Sequence, residues 1–267
     1  MGLTLARPNP RSKAAVLQAA RRRFYNRGGT WWRCRLFEAF GSQRYSHPAL
    51  FAMDRRLLSL MPWHGGTFVE AGAHDGYTQS NTYYLERHRG WSGVLIEPIP
   101  ELSTKCARRR PHARVVGCAL VAPGFDGDTV EMQFGDLMSV AGEDGHHARG
   151  GLAVAGRRGY AVRVPARTLS EVLDEAGVSE IDLLVLDVEG HELDALSGLD
   201  LERHAPSHLL IEALELAAQQ PAIDAALASH YDFVQKLSDY DLLYRRRDRA
   251  SPYARTGSSS ASSFFFG

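Results

Sequence analysis

The most concentrated chemistry in this sequence is a run of three carboxylates and one imidazole, Asp187-Val-Glu-Gly-His-Glu192. The run follows residues 181–186 (IDLLVL), whose composition is typical of a strand buried on both faces. In open α/β sheets, residues beyond the carboxyl end of a strand face the ligand cleft. Side chains of these types could orient a substrate or remove a proton from it. We therefore take Asp187, Glu189 and His191 as candidate catalytic residues.

Each side chain of this run has more than one candidate role. In an extended chain, alternation would put Asp187 and Glu189 on one side, where they could bind a divalent metal such as Mg²⁺. Histidine titrates nearest to neutral pH, so His191 is either a general base or a surface histidine. Glu192 could take part in catalysis or stabilise the N-terminus of the following helix. Gly190 lacks a side chain, and we expect it to let that helix pack closely against the sheet.

A second polar turn follows an earlier apolar strand. Residues 67–71 (TFVEA) have strand composition, and Gly72 and Gly76 then allow the backbone to turn tightly and to approach a ligand. A helix is expected to start near Thr78. Strand, turn and helix N-terminus together form the first unit of a nucleotide-binding α/β fold. The spacing E-x-G-x-x-x-G differs from the G-x-G-x-x-G fingerprint of dinucleotide-binding enzymes.

An acidic residue extends this unit. Gly93–Ile96 is a second buried-type strand, and it ends at Glu97, about 20 residues beyond the glycine turn. In nucleotide-binding α/β domains, an acid at this place hydrogen-bonds the ribose hydroxyls. The alternative is that Glu97 caps the turn before Pro98. We expect the ribose role, because the loop and the acid support one another.

These motifs resemble the FkbM-type family of S-adenosylmethionine-dependent methyltransferases. The resemblance covers about residues 65–245 and rests on four segments: Glu70-Ala-Gly-Ala-His-Asp-Gly76, Ser80-Asn-Thr82, Gly93-Val-Leu-Ile-Glu-Pro98 and Leu186-Asp-Val-Glu-Gly190. It implies a Rossmann-like class I methyltransferase fold, which is a doubly wound α/β fold with a mixed seven-stranded sheet and an antiparallel last strand. The branch with Ser-Asn-Thr and a preceding Gly-Trp includes enzymes of natural-product and sugar biosynthesis, and animal proteins without demonstrated catalysis.

The resemblance also implies the cofactor, S-adenosylmethionine, and the residues around it. It puts Asp187 beside the methyl group or the methionine amino group, and it puts Ala119 and Leu120 beside the adenine, although these two could equally be core. The family accepts alanine in place of His191, so the resemblance does not extend to that histidine as a catalytic residue. The implied cofactor-binding residues are Glu70, Gly72, Ala73, His74, Asp75, Gly76, Ser80, Asn81, Thr82, Glu97, Pro98, Ala119, Leu120 and Asp187.

Three classes of function are compatible with such a chain. The first is O-methylation of a hydroxyl on a sugar or natural-product scaffold, with a small molecule or a glycan as acceptor. The second is a non-catalytic interaction domain on a methyltransferase fold, which is disfavoured because a binding site's residues are all present: Glu70, Gly72, Gly76, Glu97 and Asp187. The third is a nicotinamide-dependent oxidoreductase. It is disfavoured because Glu70 stands where a glycine should open the fingerprint, and because the sequence has no Tyr-x-x-x-Lys pair.

Bulk composition restricts the partners and the compartment. The formal net charge is +0, whereas a general nucleic-acid binder usually has a broad basic excess. Cys34, Cys106 and Cys118 cannot all pair and lack metal-ligand spacing, which favours a reducing compartment. There is no apolar run of transmembrane length and no signal-peptide core. We therefore expect a cytoplasmic protein without stable membrane insertion.

Three regions are expected along the chain. Residues 1–48 form a basic helical extension that acts as a lid or as an arm of a homodimer, with binding to an anionic surface and disorder as alternatives. Residues 49–249 form the methyltransferase domain, which begins with an entry helix over residues 48–60. Residues 250–267 are Ser-rich and are expected to be disordered.

A hairpin insertion is predicted at about residues 129–164. Residues 129–134 and 160–164 are its expected strands, and residues 135–159 form a mobile loop of the kind that often carries substrate specificity. The adjacent His146 and His147 in this loop could bind a metal, but such pairs are more often solvated.

The remaining elements have clear local signals. A third strand is expected over residues 113–121, and segment 181–186 is the most apolar strand, so it should lie centrally. Thr168 and Glu171 have the spacing of a capping box, which predicts a helix start. Segments 231–237 and 241–245 are expected to form the final antiparallel pair.

Overall fold

A mixed seven-stranded sheet forms the centre of the computed structural model, which describes residues 30–134, 139–141 and 160–247. The strands in chain order are β1 (Thr67–Ala71), β2 (Ser92–Ile96), β3 (Ala113–Val116), β4 (Ala119–Leu120), β5 (Thr129–Phe134), β6 (Ser139–Ala141), β7 (Tyr160–Arg167), β8 (Leu183–Leu186), β9 (His208–Glu212), β10 (Tyr231–Lys236) and β11 (Asp241–Arg246). The central sheet has the order β3-β2-β1-β8-β9-β11-β10. β11 runs antiparallel to both of its neighbours, β9 and β10, the other strand pairs of this sheet are parallel, and β8 is the middle strand. Both features confirm the prediction.

Helices cover both faces of this sheet. In chain order they are α1 (Thr30–Ala39), a 3₁₀ turn (Leu50–Ala52), α2 (Met53–Leu60), α3 (Tyr83–Arg89), α4 (Pro100–Arg109), α5 (Leu169–Ala176), α6 (Glu192–Ser197), α7 (Leu201–His204) and α8 (Leu216–Leu227). Successive strand residues point to opposite faces, so Phe68 packs in the core with Met53 and Leu57 of α2, whereas Val69 packs in the core with Val172 of α5 and Ile223 of α8. The fold is doubly wound, as predicted.

The capping box is formed as the sequence indicates. Thr168 Oγ1 accepts a hydrogen bond from the Glu171 amide at 3.3 Å, and the Glu171 carboxylate accepts one from the Thr168 amide at 2.8 Å. These contacts satisfy backbone donors that a helix start leaves unpaired. They fix the start of α5, which ends at Ala176, directly before Gly177.

The predicted third strand over residues 113–121 is wrong in its length. β3 ends at Val116, whose carbonyl accepts a hydrogen bond from the Glu97 amide. The amide of Ile99, which would come next in this ladder, donates to the Glu97 carboxylate instead. After two further residues, β4 pairs with β7 in a separate four-stranded sheet of order β4-β7-β5-β6. Residues 113–121 therefore contribute to two sheets.

Two helix starts were also predicted too early. α3 begins at Tyr83 rather than near Thr78, because Gln79 has a φ of 62°. The entry helix begins at Met53, after residues 51–52, which have φ angles of 52° and 54°. Left-handed backbone at non-glycine residues interrupts a right-handed helix.

The insertion is partly described. β5 and β7 pair antiparallel with Met132 opposite Val162, which confirms the predicted hairpin strands, and β6 adds a strand that the sequence did not indicate. The expectations for residues 1–29, for His146 and His147 and for the tail over residues 250–267 lie outside the described residues. None of the helices in the described part of the chain has the length and apolarity needed to cross a membrane.

Candidate functional site

A cleft opens at the carboxyl ends of β1, β2 and β8. The strand order changes direction here, because β2 and β3 follow β1 on one side, whereas β8 and β9 lie on its other side. The cleft encloses about 970 Å³ of empty space, its open mouth included. The two polar turns of the sequence thus meet in one place. The predicted residues that line the cleft are Glu70, Gly72, His74, Ser80, Asn81, Glu97, Pro98, Ala119, Leu120, Asp187, Glu189 and His191.

Four predicted cofactor residues do not line the cleft, and they support its wall instead. Asp75 accepts hydrogen bonds from two backbone amides of the loop, and the Thr82 hydroxyl donates to Glu70 at 2.5 Å. Gly76 lies against Cys106 and Arg110, and Ala73 is buried in the core. These four residues hold the loop in its conformation without lining the cleft.

Several lining residues were missed. Ala71 and Ile96 end β1 and β2, so the strand-end rule could have identified them. Thr78, Gln79, Cys118 and Val188 are neighbours of predicted residues. Leu102 of α4 and Met132 of β5 had no local signal, because tertiary packing alone brings them to the cleft.

Glu70 organises the loop that follows β1. It is buried and accepts hydrogen bonds from the Ser80 hydroxyl at 2.9 Å and the Asn81 amide at 2.7 Å, besides that from Thr82. Arg110 Nη1 lies 3.8 Å from its carboxylate. Burial raises the pKa of Glu70, and Arg110 and the hydrogen bonds oppose that rise. The Ser80 and Thr82 hydroxyls are therefore directed at Glu70.

Glu97 is fixed by the backbone around it. Its two carboxylate oxygens accept hydrogen bonds from the amides of His74 at 2.8 Å and Ile99 at 2.9 Å. The turn-capping role is thus real, but it leaves acceptor capacity, because a carboxylate offers about four acceptor positions. Burial raises the pKa of Glu97 above its ordinary value. The side chain is held at the cleft wall in a single position.

The two polar turns touch through Gly72. Its φ is +85°, and a Cβ at this position would lie 1.9 Å from the carbonyl oxygen of Asp187. The Asp187 amide also donates to the Ala71 carbonyl at 3.2 Å. Only glycine allows this approach, so Gly72 sets the spacing between the glycine turn and the start of the Asp187 turn.

The turn after β8 differs from the predicted extended chain. Glu189 and Gly190 have φ angles of 54° and 104°, so strand alternation does not apply, although Asp187 and Glu189 both line the cleft. A Cβ on Gly190 would meet no atom within 4 Å. The expected close packing at Gly190 is therefore wrong, and its backbone conformation is what favours glycine.

Glu192 closes this turn and His191 lies at its rim. The buried Glu192 carboxylate accepts hydrogen bonds from the amides of Val188 at 3.2 Å and Gly190 at 3.0 Å, so it holds the turn that precedes α6. Burial raises the pKa of Glu192. His191 Nδ1 lies 3.3 Å from the Asp194 carboxylate, and its side chain is partly exposed.

Backbone strain is concentrated around the cleft. In the described part of the chain, five non-glycine residues have positive φ angles, and three of them, His74, Gln79 and Glu189, line the cleft. A left-handed conformation costs such a residue about 1–2 kcal/mol. Strain of this kind persists where the surrounding structure holds it, and it clusters at functional sites.

A metal site has no support among the described residues. There, no group of three or more His, Cys, Asp or Glu side chains is arranged to hold a metal ion. The Mg²⁺ alternative for Asp187 and Glu189 therefore gains nothing from the structure.

Comparison with known proteins identifies one domain family. The Methyltransferase FkbM domain matches residues 70–244, which span both polar turns. No curated protein is significantly similar to the chain in sequence.

Solved structures with a similar arrangement are distant in sequence. A methyltransferase FkbM from Methylobacillus flagellatus is 15% identical with a TM-score of 0.44, over 87% of this chain and 60% of that one. A 1,6-didemethyltoxoflavin-N1-methyltransferase from Burkholderia thailandensis is 14% identical with a TM-score of 0.40, over 92% and 94% of the two chains. A TehB-like SAM-dependent methyltransferase from Corynebacterium glutamicum is 13% identical with a TM-score of 0.40, over 86% and 99%.

Proposed function

The chain belongs to the FkbM methyltransferase family, and we propose that it binds S-adenosylmethionine in the cleft and transfers the methyl group to a hydroxyl of a small molecule or glycan. The observation that carries the proposal is the meeting of the two family turns at the carboxyl ends of β1, β2 and β8. This is where open α/β sheets bind their ligands.

The lining chemistry fits the parts of this cofactor. Glu97 is held by two amides with acceptor capacity to spare for the ribose hydroxyls. Apolar side chains of Leu102, Leu120 and Met132 offer a surface for the adenine. Gly72 lets the backbone approach the ligand, and the Asp187 carboxylate is suited to the positively charged methionine amino group.

Other residues that line the cleft suit a hydroxylated acceptor. Gln79 and Asn81 offer amide groups, and Glu189 and His191 offer a carboxylate and an imidazole. Such groups can hydrogen-bond the hydroxyls of a sugar or natural-product scaffold and so fix one of them in place.

The chain's contribution to the reaction is alignment and removal of a proton. When bound, S-adenosylmethionine supplies an electrophilic methyl group, which leaves sulfur as the acceptor oxygen forms its new bond to carbon. Asp187 would hold the donor end in line with that oxygen. His191, at the rim of the same cleft, would accept the acceptor's proton, and Glu189 would orient the acceptor.

Isothermal titration calorimetry tests the cofactor assignment. We expect S-adenosylmethionine and S-adenosylhomocysteine to bind with a Kd of about micromolar order, corresponding to about −8 kcal/mol. Glu97→Gln keeps the side-chain shape but removes the charge, so it should weaken both ligands by about 10-fold to 100-fold.

The matched control is Glu101→Gln, an exposed carboxylate on α4 that does not line the cleft. It should leave both affinities within about twofold. The proposal would be overturned if the wild-type protein bound neither S-adenosylmethionine nor S-adenosylhomocysteine, or if it bound NAD⁺ more tightly than these two compounds. Binding would justify a screen of hydroxylated acceptors.

A further inference from the structure

A fully buried arginine lies behind the loop that follows β1. Arg110 comes directly after α4, and only 1% of its surface is exposed. Arginine is almost never fully buried unless its charge is paired. Two buried carboxylates face it: Nε donates to Glu86 of α3 at 2.5 Å, and Nη1 lies 3.8 Å from the Glu70 carboxylate in the cleft wall. We call Arg110, Glu70 and Glu86 the buried triad.

The guanidinium also donates hydrogen bonds to the loop itself. Nη1 donates to the Ser80 hydroxyl at 3.1 Å and to the Gly76 carbonyl at 3.2 Å. Nη2 donates to the Thr82 hydroxyl at 2.9 Å. Because a guanidinium only donates, both hydroxyl oxygens act as acceptors toward Arg110, and their protons are left for Glu70, which accepts from both. The planar fork of Arg110 therefore directs both hydroxyls at this carboxylate.

The loop held in this way forms part of the cleft wall. Residues 78–81 lie between β1 and α3, and all four line the cleft. Gln79 has left-handed backbone, which persists where the surrounding structure holds it. The Asn81 amide donates to Glu70 at 2.7 Å, so a shift of that carboxylate would move the wall. Arg110 itself does not line the cleft.

We propose that Arg110 is a positioning residue for the cofactor, which acts through Glu70 and the loop without touching the ligand. The proposal rests on the function proposed above, because it requires the cofactor to occupy this cleft. The buried triad fixes the loop before the ligand arrives, and a prearranged site loses less free energy on binding. Without Arg110, the hydroxyls of Ser80 and Thr82 could turn to other acceptors, and the ligand itself would have to order the loop.

Arg110 supplies the counter-charge for Glu70. The residues opposite Glu70 on β2 and β8 are a leucine and a valine. On α4, burial raises the pKa of the Cys106 thiol to about 12, so this group is uncharged at neutral pH. On α3, Glu86 adds a second negative charge across the guanidinium. Burial also raises the pKa of Glu70, and Arg110 is the strongest of the contacts that oppose this rise.

Loss of Arg110 would leave two buried carboxylates without their shared counter-charge. Glu70 would then take up a proton at a higher pH, and the protonated group has fewer acceptor positions for its three loop donors. The loop would lose part of its support as the pH falls. Cofactor binding should therefore report on the presence of Arg110 through its dependence on pH.

Isothermal titration calorimetry with S-adenosylhomocysteine tests this proposal, with melting temperatures measured in parallel. Arg110→Lys keeps the charge but not the planar fork, so affinity should fall at least about tenfold. Arg110→Met also removes the charge, so the pH at which this variant loses affinity should lie about one to three pH units above that of the wild type. Adding Glu70→Gln to Arg110→Met should abolish this upward displacement, because the group that titrates is then gone.

The matched control is Glu86→Gln, which changes the other carboxylate of the buried triad. Glu86 accepts hydrogen bonds from Arg110 and from the His112 amide, and it does not line the cleft. Because the contacts of Arg110 with the loop remain, this variant should keep its affinity within about twofold of the wild type. The pH at which it loses affinity should not rise.

Three results would overturn the proposal while leaving the proposed function intact. Arg110→Lys could bind S-adenosylhomocysteine as tightly as the wild type, Arg110→Lys and Glu86→Gln could lose affinity equally, or Arg110→Met could lose affinity at the same pH as the wild type. A wild-type protein that binds no S-adenosylhomocysteine would overturn this proposal together with the function on which it rests.

If Arg110→Met does not fold, hydrogen exchange of the ligand-free Arg110→Lys protein replaces its pH profile. The Asn81 amide, which donates to Glu70, should exchange at least about tenfold faster than in the wild type when both are compared with the amides of β8. Glu86→Gln should leave that exchange rate unchanged. An unchanged rate in Arg110→Lys would overturn the proposal.

Discussion

The two sides of the cleft are built in different ways. On the β1–β2 side, Glu70 and Glu97 are buried, and hydrogen bonds from backbone amides and hydroxyls fix their oxygens. On the β8 side, Asp187, Glu189 and His191 are partly exposed, and they belong to a turn with left-handed backbone at Glu189. A prearranged wall suits a ligand that never varies, and an open wall suits an acceptor that must enter and leave. The comparison therefore assigns the nucleoside end of the cofactor to the first side, and the methionine end and the acceptor to the second.

The largest expected effect comes from the glycine that joins the two sides. Gly72→Ala would place a Cβ 1.9 Å from the Asp187 carbonyl oxygen at a φ of +85°. Overpacking and left-handed strain together should lower the free energy of unfolding by about 2–4 kcal/mol and weaken cofactor binding. Urea denaturation and calorimetry would measure the two effects.

Gly190→Ala is the matched control for that change. Its φ is also positive, at +104°, but a Cβ would meet no atom within 4 Å. It should cost about 1 kcal/mol of unfolding free energy, from backbone strain alone. If the two alanine variants lose equal stability, the close approach of the two turns is not what Gly72 provides.

Asp187→Asn should weaken the binding of the methionine end of the cofactor without affecting the nucleoside end. A charged hydrogen bond to the amino group is worth about 1.5–3 kcal/mol, so S-adenosylhomocysteine should bind about 10-fold to 100-fold more weakly. Methylthioadenosine lacks that amino group and should bind Asp187→Asn as it binds the wild type, whereas Glu97→Gln should weaken both ligands. Equal weakening of both by Asp187→Asn would show that Asp187 contacts the nucleoside end or shapes the whole site.

The buried wall should also give cofactor binding a dependence on pH. Burial raises the pKa of Glu97, so this carboxylate takes up a proton at a higher pH than an exposed one does. The protonated group is a poorer acceptor for ribose hydroxyls, so affinity should fall as the pH falls through this raised pKa. Titrations at decreasing pH should show the loss in the wild type and a flatter profile in Glu97→Gln.

The same group affects stability with the opposite sign. Because its pKa is higher in the folded state, Glu97 contributes stability at low pH that is lost as the pH rises through the folded pKa. Acidification should therefore weaken binding without a loss of stability through this residue. A pH profile that is equally steep in Glu97→Gln would assign the titration to another group.

The sequence predicted best what depends on local composition. The limits of β1 and the central place of β8 follow from short apolar runs, and the polar ends of these strands identified most of the cleft. It failed where a distant partner decides the structure. α3 starts late because Gln79, which pairs with the distant Ala49, has a left-handed backbone, and the third strand ends because β7 pairs with the residues beyond it. The inward-facing Glu38 depends on Ser46 and on α3, which no local pattern in α1 reveals.

The smallest expected effect on cofactor binding is that of His191→Ala. The side chain of His191 is 34% exposed, and its contact at 3.3 Å is with Asp194, whose side chain is 58% exposed. Exposed pairs of this kind contribute about 0–1 kcal/mol, so S-adenosylhomocysteine affinity should change by less than about threefold. With an acceptor in hand, the same variant should slow methyl transfer by about 10²–10⁴-fold if the imidazole accepts the proton. A large loss of cofactor affinity would contradict the separation of the two walls, whereas full turnover would keep that separation and remove His191 from the mechanism.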